Sequence, residues 1–267
     1  MEESKLSPAR QPACCNRRRL RILGIETSSV RGSVALVEAG RTLATASHER
    51  ENAHEASIQP LIERLLSEAG WNPRQLDRVA VGTGPGSFTG LRVGIALAQG
   101  IAEGLEIPLV GVGSLQALAG AAPHGDDRVR VAVIDARRGE LFLAAYSAAG
   151  LELLPPQVAA NADAAEQLIR SLPGGVLLLG RASAPLWASF EHDPNPDAEL
   201  PDARWTASIG ATLSADTSAS ALYLRPAVAI AAQLRQNPLS GEAVPACPLP
   251  AASEGAAADA DGVDRHR

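Results

Sequence analysis

Apolar runs of strand length and stripes of helical period alternate along the first half of this chain. Arg21 to Thr27 (RILGIET) is a short apolar run that ends on an acid, and a turn over Ser28 to Gly32 follows it. Ser33 to Gly40 (SVALVEAG) and Thr42 to Ser47 then read as two more strands. Within Ala53 to Gly70, Ile58, Leu61, Ile62, Leu65, Leu66 and Ala69 fall at i, i+3, i+4, i+7, i+8 and i+11. That spacing predicts one amphipathic helix, and Gly70 is a suitable stop. Arg78 to Gly82 is a fourth strand, Ser87 to Glu103 a second helix, and Pro108 to Val112 a fifth strand.

The second half repeats this order in a weaker form. Val129 to Asp135 (VRVAVID) is again an apolar strand closed by an acid, and a turn over Ala136 to Gly139 leads into Glu140 to Tyr146. Glu26 and Asp135 each end a strand before a hairpin, with Gly32 and Gly139 at the exits. A helix near Ala162 to Ser171 and a strand at Gly175 to Gly180 complete the echo. Such a duplication predicts an α/β fold of mixed sheets flanked by helices. The expected boundaries are a tail over 1–20, a first lobe over 21–125, a second, degenerate lobe over 126–236 and a tail over 237–267. Both tails are polar or rich in Pro, Ala and Gly without a period, and are expected to be disordered.

Composition narrows the chemistry. Hydrophobic residues make up 46% of 267, enough for a core, but aromatics only 3%, so small aliphatic residues must fill it. The single lysine, Lys5, lies in a tail. A P-loop and a Schiff-base site, which need a placed lysine, are excluded. A net charge of −6 disfavours nucleic-acid binding by the chain alone. Cys14, Cys15 and Cys247 have no metal-ligand spacing, and none of the five histidines pairs at i, i+4. The N-terminus has no apolar signal core and no apolar stretch reaches about 18 residues, so a cytoplasmic protein without a membrane span is expected.

The densest motif is Gly82 to Gly94, GTGPGSFTGLRVG, between a strand and a helix. Glycines there admit two readings, a tight turn or a cradle for an anion at the helix start. Inside that helix Gly90, Gly94, Ala98 and Ala102 recur every fourth residue. Helical glycine costs about 0.5–1 kcal/mol relative to alanine, so the row implies close packing, against the chain's own sheet or against a partner helix. The acids Glu26 and Asp135, with Thr27 and Ser28, sit where a nucleotide site could use them.

Taken together, GIETSSVRGSVALV, GTGPGSFTGLRVGIALAQG and VIDARRGELF resemble the TsaB (YeaZ-type) family, the dimerisation subunit of the bacterial machinery that makes threonylcarbamoyladenosine in tRNA. The likeness is strong over Arg21–Ala119, returns at Val131–Tyr146 and is weak at Tyr223–Pro226. It implies an actin-like (ASKHA) fold of two RNase H-like lobes. The catalytic relative, of TsaD type, carries a His-x-x-x-His metal motif after the fifth strand. Here Ser114 to Leu118 (SLQAL) stands in its place, so a non-catalytic scaffold is implied. The implied partners are the TsaD-type subunit, a TsaE-type ATPase and, when alone, a second copy, with tRNA met only through the complex. The resemblance sets the partner surface on the first two helices, at Ile58, Leu61, Ile62, Leu65, Gly90, Leu91, Gly94 and Ala98. It extends the nucleotide candidates to Glu26, Thr27, Ser28, Gly84, Gly86, Ser87 and Asp135, with ATP or ADP expected within the complex and no cofactor required by this chain. Rival readings are a glycoprotease-like peptidase and a sugar or acetate kinase of the same superfamily.

Overall fold

The computed structural model describes residues 19–49, 54–181 and 184–224, which belong to one compact unit. The expected tails lie outside the described residues, apart from 19 and 20. The first sheet has strand order β3-β2-β1-β4-β5, built from β1 (Arg21–Glu26), β2 (Arg31–Glu38), β3 (Arg41–Glu49), β4 (Arg78–Gly82) and β5 (Leu109–Val112). β1, β2 and β3 run antiparallel, while β4 lies parallel to β1 and β5 parallel to β4. Ala39 and Gly40, both with positive φ (52° and 78°), make the tight β2–β3 turn. The second sheet, β8-β7-β6-β9, repeats the pattern with β6 (Val129–Asp135), β7 (Leu141–Tyr146), β8 (Glu152–Ala159) and β9 (Val176–Leu179). The mixed, duplicated α/β architecture read from the sequence is the one observed.

Helices α1 (His54–Glu68) and α2 (Phe88–Leu105) cover one face of the first sheet, packing on Leu23, Ile25, Val34, Leu36, Val79 and Val81. α6 (Ala203–Gly210) covers the other face, against Ile22, Val37, Ala80 and Val110. Burial on both faces explains why β1 and β4 read as unbroken apolar runs. α3 (Ser114–Gly120) packs on α6 and on the facing side of the second sheet, through Leu115 and Leu118. α4 (Ala162–Arg170) and α5 (Ala184–Ser189) close the far side, where Ala165, Ile169 and Leu186 meet Val131 and Leu143.

α6 comes from the second half of the chain yet seats on the first sheet, and glycine makes that possible. A Cβ on Gly24 would stand 2.4 Å from the Ala203 carbonyl oxygen, and one on Gly210 would stand 2.5 Å from the Ala80 Cβ. The helix backbone therefore lies almost on the strands. Among the described residues no helix is long and apolar enough to cross a membrane.

Candidate functional site

The first sheet brings the turn after β1, the glycine motif and the heads of α2, α3 and α6 together. Glu26 has no exposed surface, and neither has Thr27; Ser28 is 2% exposed. The Glu26 Oε1 accepts the Ser28 N–H at 2.9 Å. The Ser114 hydroxyl lies 3.3 Å from both carboxyl oxygens, and the Thr206 hydroxyl 3.3 Å from Oε2. The Ser28 hydroxyl faces the same carboxyl but makes no well-formed hydrogen bond. Burial pushes the Glu26 carboxyl up from its ordinary value, and these hydrogen bonds offset the rise only in part.

Each residue of this turn has its own glycine. A Cβ on Gly82 would lie 2.1 Å from the Glu26 Oε2, one on Gly94 2.2 Å from the Thr27 Oγ1, and one on Gly86 2.2 Å from the Ser28 carbonyl oxygen. Hydrogen bonds close the same contacts. Thr27 donates its hydroxyl to the Gly90 carbonyl at 2.8 Å, and the Ser87 N–H donates to the Ser28 carbonyl at 2.7 Å. Ser87 also caps α2, accepting the Gly90 N–H at 3.2 Å. The Gly84–Pro85 bond is cis. Gly84 exchanges bonds with Ser114 in both directions, its N–H to the hydroxyl at 3.1 Å and its carbonyl from the N–H at 2.7 Å.

Of the two readings of the glycine motif, the geometry supplies the tight turn. Glu26, Thr27, Ser28, Gly84, Gly86 and Ser87 do come together, but the first four are buried and packed tightly, while Gly86 is half-buried and Ser87 exposed. This corrects the expectation of a nucleotide site on the Glu26 turn, because an acid sealed beneath α3 and α6 has no face to offer a ligand. Asp135 stands apart, exposed at the end of β6, where its Oδ1 accepts the Arg137 N–H at 2.7 Å.

The partner surface also needs correction. Ile58, Ile62 and Leu65 are buried in the core beneath α1, and Gly90, Leu91, Gly94 and Ala98 are buried beneath α2; only Leu61 is half-buried. The stripe named from the sequence is the inward one, since an apolar stripe seeks the sheet before it seeks a partner. The face left open on α2 is different: Ala96, Gly100 and Gly104 are exposed, flanked by half-buried Val93, Leu97 and Ile101. A Cβ on Gly100 or Gly104 would meet nothing within 4 Å. A second row at four-residue spacing, Ala96-Gly100-Gly104, was present in the sequence and could have marked this face. Gly100→Ala and Gly104→Ala are each expected to stabilise the isolated chain by about 0.5–1 kcal/mol, read by urea unfolding.

A family model described as TsaD, tRNA N6-adenosine threonylcarbamoyltransferase, matches residues 42–193. The tRNA threonylcarbamoyladenosine biosynthesis protein TsaB of Bacillus subtilis is 33% identical over 162 residues, 60% of this chain and 70% of its own length. The chain belongs to the TsaB family. TsaB of Escherichia coli is 40% identical over 128 residues, 48% of this chain and 55% of that protein. The chain thus spans about half the length of that relative. The structure of YeaZ from Pseudomonas aeruginosa superposes with a TM-score of 0.62 at 27% identity, over 77% of this chain and 100% of that one. The mixed, helix-flanked sheets agree with the fold the TsaB resemblance implied. A tRNA N6-adenosine threonylcarbamoyltransferase of Nitratidesulfovibrio vulgaris is 42% identical over 110 residues, 36% of this chain and 30% of its own.

Proposed function

We propose that this chain is a non-catalytic scaffold in the cytoplasmic formation of threonylcarbamoyladenosine in tRNA, holding a TsaD-type catalytic subunit on the open face of α2. The observation that carries the reading is the pair Gly100 and Gly104, exposed in a helix with no neighbour among the described residues to explain them. Glycine on an open helix face is a cost with no return among the described residues, and close approach by a second helix supplies one. Membership of a family whose curated relatives are named for this biosynthesis supports the same reading.

The non-catalytic part rests on residues 114–118, which the family resemblance sets opposite the histidine motif of the catalytic relative and which contain no histidine. Ser114 is committed to Glu26, and Leu115 and Leu118 are buried in the core. A TsaE-type ATPase and tRNA are read as reaching this chain through the assembly, and a second copy as covering the same α2 face when the catalytic subunit is absent. Any ATP or ADP of the assembly is read as lying outside the filled Glu26 turn.

An omission assay tests this. Threonine, bicarbonate, ATP, unmodified tRNA and the partner proteins are combined with and without this chain, and the modified nucleoside is measured by mass spectrometry. Product is expected only when the chain is present, and none when it replaces the catalytic subunit. Equal product without it would detach it from the pathway, and product without the catalytic subunit would make it the enzyme.

A further inference from the structure

The Glu26 carboxyl is the one group in the sealed turn that can gain or lose a proton. It touches four parts of the chain: its own turn at Ser28, β4 at Gly82, α3 at Ser114 and α6 at Thr206. None of these neighbours is titratable. At the head of α6 the charged side chains pair among themselves, Arg204 with Asp202 at 2.9 Å and with Asp197 at 3.0 Å. A bare carboxylate at this place would have one backbone N–H, the Ser114 and Thr206 hydroxyls at 3.3 Å and the poorly aligned Ser28 hydroxyl to replace its water, and no cation among the described residues. A buried charge so placed is costly.

A neutral carboxyl pairs with the Ser28 N–H, Ser114 and Thr206 without placing a charge among them. Its carbonyl oxygen, Oε1, accepts the Ser28 N–H and the Ser114 hydroxyl, while Ser114 Oγ in turn accepts the Gly84 N–H. In the neutral form its acidic oxygen, Oε2, donates to Thr206 Oγ1 across the 3.3 Å contact, and the Thr206 hydroxyl donates its hydrogen bond to the Asp202 carbonyl at 3.4 Å. Removing the acid proton turns the Thr206 hydroxyl back towards Oε2 and leaves a charge in a fully buried site.

We propose that Glu26 is a neutral carboxyl latch, which fixes the glycine loop and the head of α2 through Ser28 and Ser114 and ties them to α6 through Thr206, so that loss of its proton loosens them. Glu26 is then a positioning residue for the loop that starts α2, whichever partner α2 meets. The direction of the pH effect follows from linkage. A carboxyl raised in the folded chain keeps its full contribution below about pH 4.5, its ordinary value, and loses it as pH rises through the folded value.

The full chain, Glu26→Gln and Glu26→Ala are compared by urea unfolding between about pH 5 and pH 9. Glutamine keeps a neutral group with an acceptor for Ser28 and a donor for Thr206. The folding constant of the natural chain is expected to fall by up to about tenfold per pH unit relative to the glutamine variant, until the folded carboxyl ionises. Glu26→Ala should be the weakest of the three at low pH, with faster amide exchange at Gly84. An infrared difference spectrum of the natural chain against Glu26→Gln at the low end of that range should contain a protonated-carboxyl band. Parallel pH profiles for the natural and glutamine chains, absence of that band, or failure of Glu26→Gln to fold would each overturn the latch.

Discussion

Alanine in place of Gly82 is expected to destabilise the fold by about 3 kcal/mol or more, although it adds a single methyl group. Overpacked cores usually yield by moving a side chain, at about 1–3 kcal/mol. Here the new Cβ would stand 2.1 Å and 2.4 Å from the two Glu26 oxygens and 2.5 Å from its Cδ. The carboxyl cannot retreat, being held by Ser28, Ser114 and Thr206. The strand cannot retreat either, since β4 is paired on both sides, with β1 and β5. Glu26→Ala alone should also be costly, because it leaves buried donors unpaired. The double variant, however, should be better than the sum of the two, since the methyl would then enter the space the carboxyl left. A coupling of about 2 kcal/mol or more in a urea double-mutant cycle is expected. Additive costs would mean that Gly82 answers to something other than Glu26.

That pairing marks where reading the sequence stops. The glycines of Gly82–Gly94 are conspicuous in the chain, and so is the acid that ends β1, but nothing in either segment says that Gly82 faces Glu26, Gly94 faces Thr27 and Gly86 faces Ser28. The contacts arise only when β4 pairs with β1 and α2 folds back over the turn. Strands β1 and β4, and β6 from Val131 to Ile134, were legible because burial on both faces leaves an uninterrupted apolar run. α3 was not, since its seven residues (SLQALAG) are almost wholly buried and so carry no polar face to give a period. β8 was hidden by Pro155 and Pro156, which a strand pairing only with β7 tolerates at a sheet edge. α6 has small residues that read as loop, and its place follows from the room left by Gly24 and Gly210. On α2 both faces bear small residues, so periodicity alone could not say which row meets the sheet.

Two charge substitutions separate those faces, and they should give opposite results. Ile62→Asp sets a carboxylate in the core between α1 and the first sheet, where Ile62 is 5% exposed. It is expected to cost about 4 kcal/mol or more and to unfold much of the isolated chain, because a charge without a partner cannot be solvated there. Any loss of complex would then follow from loss of the fold. Gly100→Arg places its side chain into open space, so melting by circular dichroism should be unchanged or slightly raised, arginine being a better helix former than glycine. Its effect should fall on the partner: a long cation where a helix must approach closely removes the contact, and association with the TsaD-type subunit should weaken by about a hundredfold or more in calorimetry. Gly100→Ala, adding only a methyl, should weaken it less. Full affinity in a stably folded Gly100→Arg chain would place the partner elsewhere. A folded Ile62→Asp chain that fails to bind would return the interface to the inward stripe, which would then have to swing away from the sheet on binding.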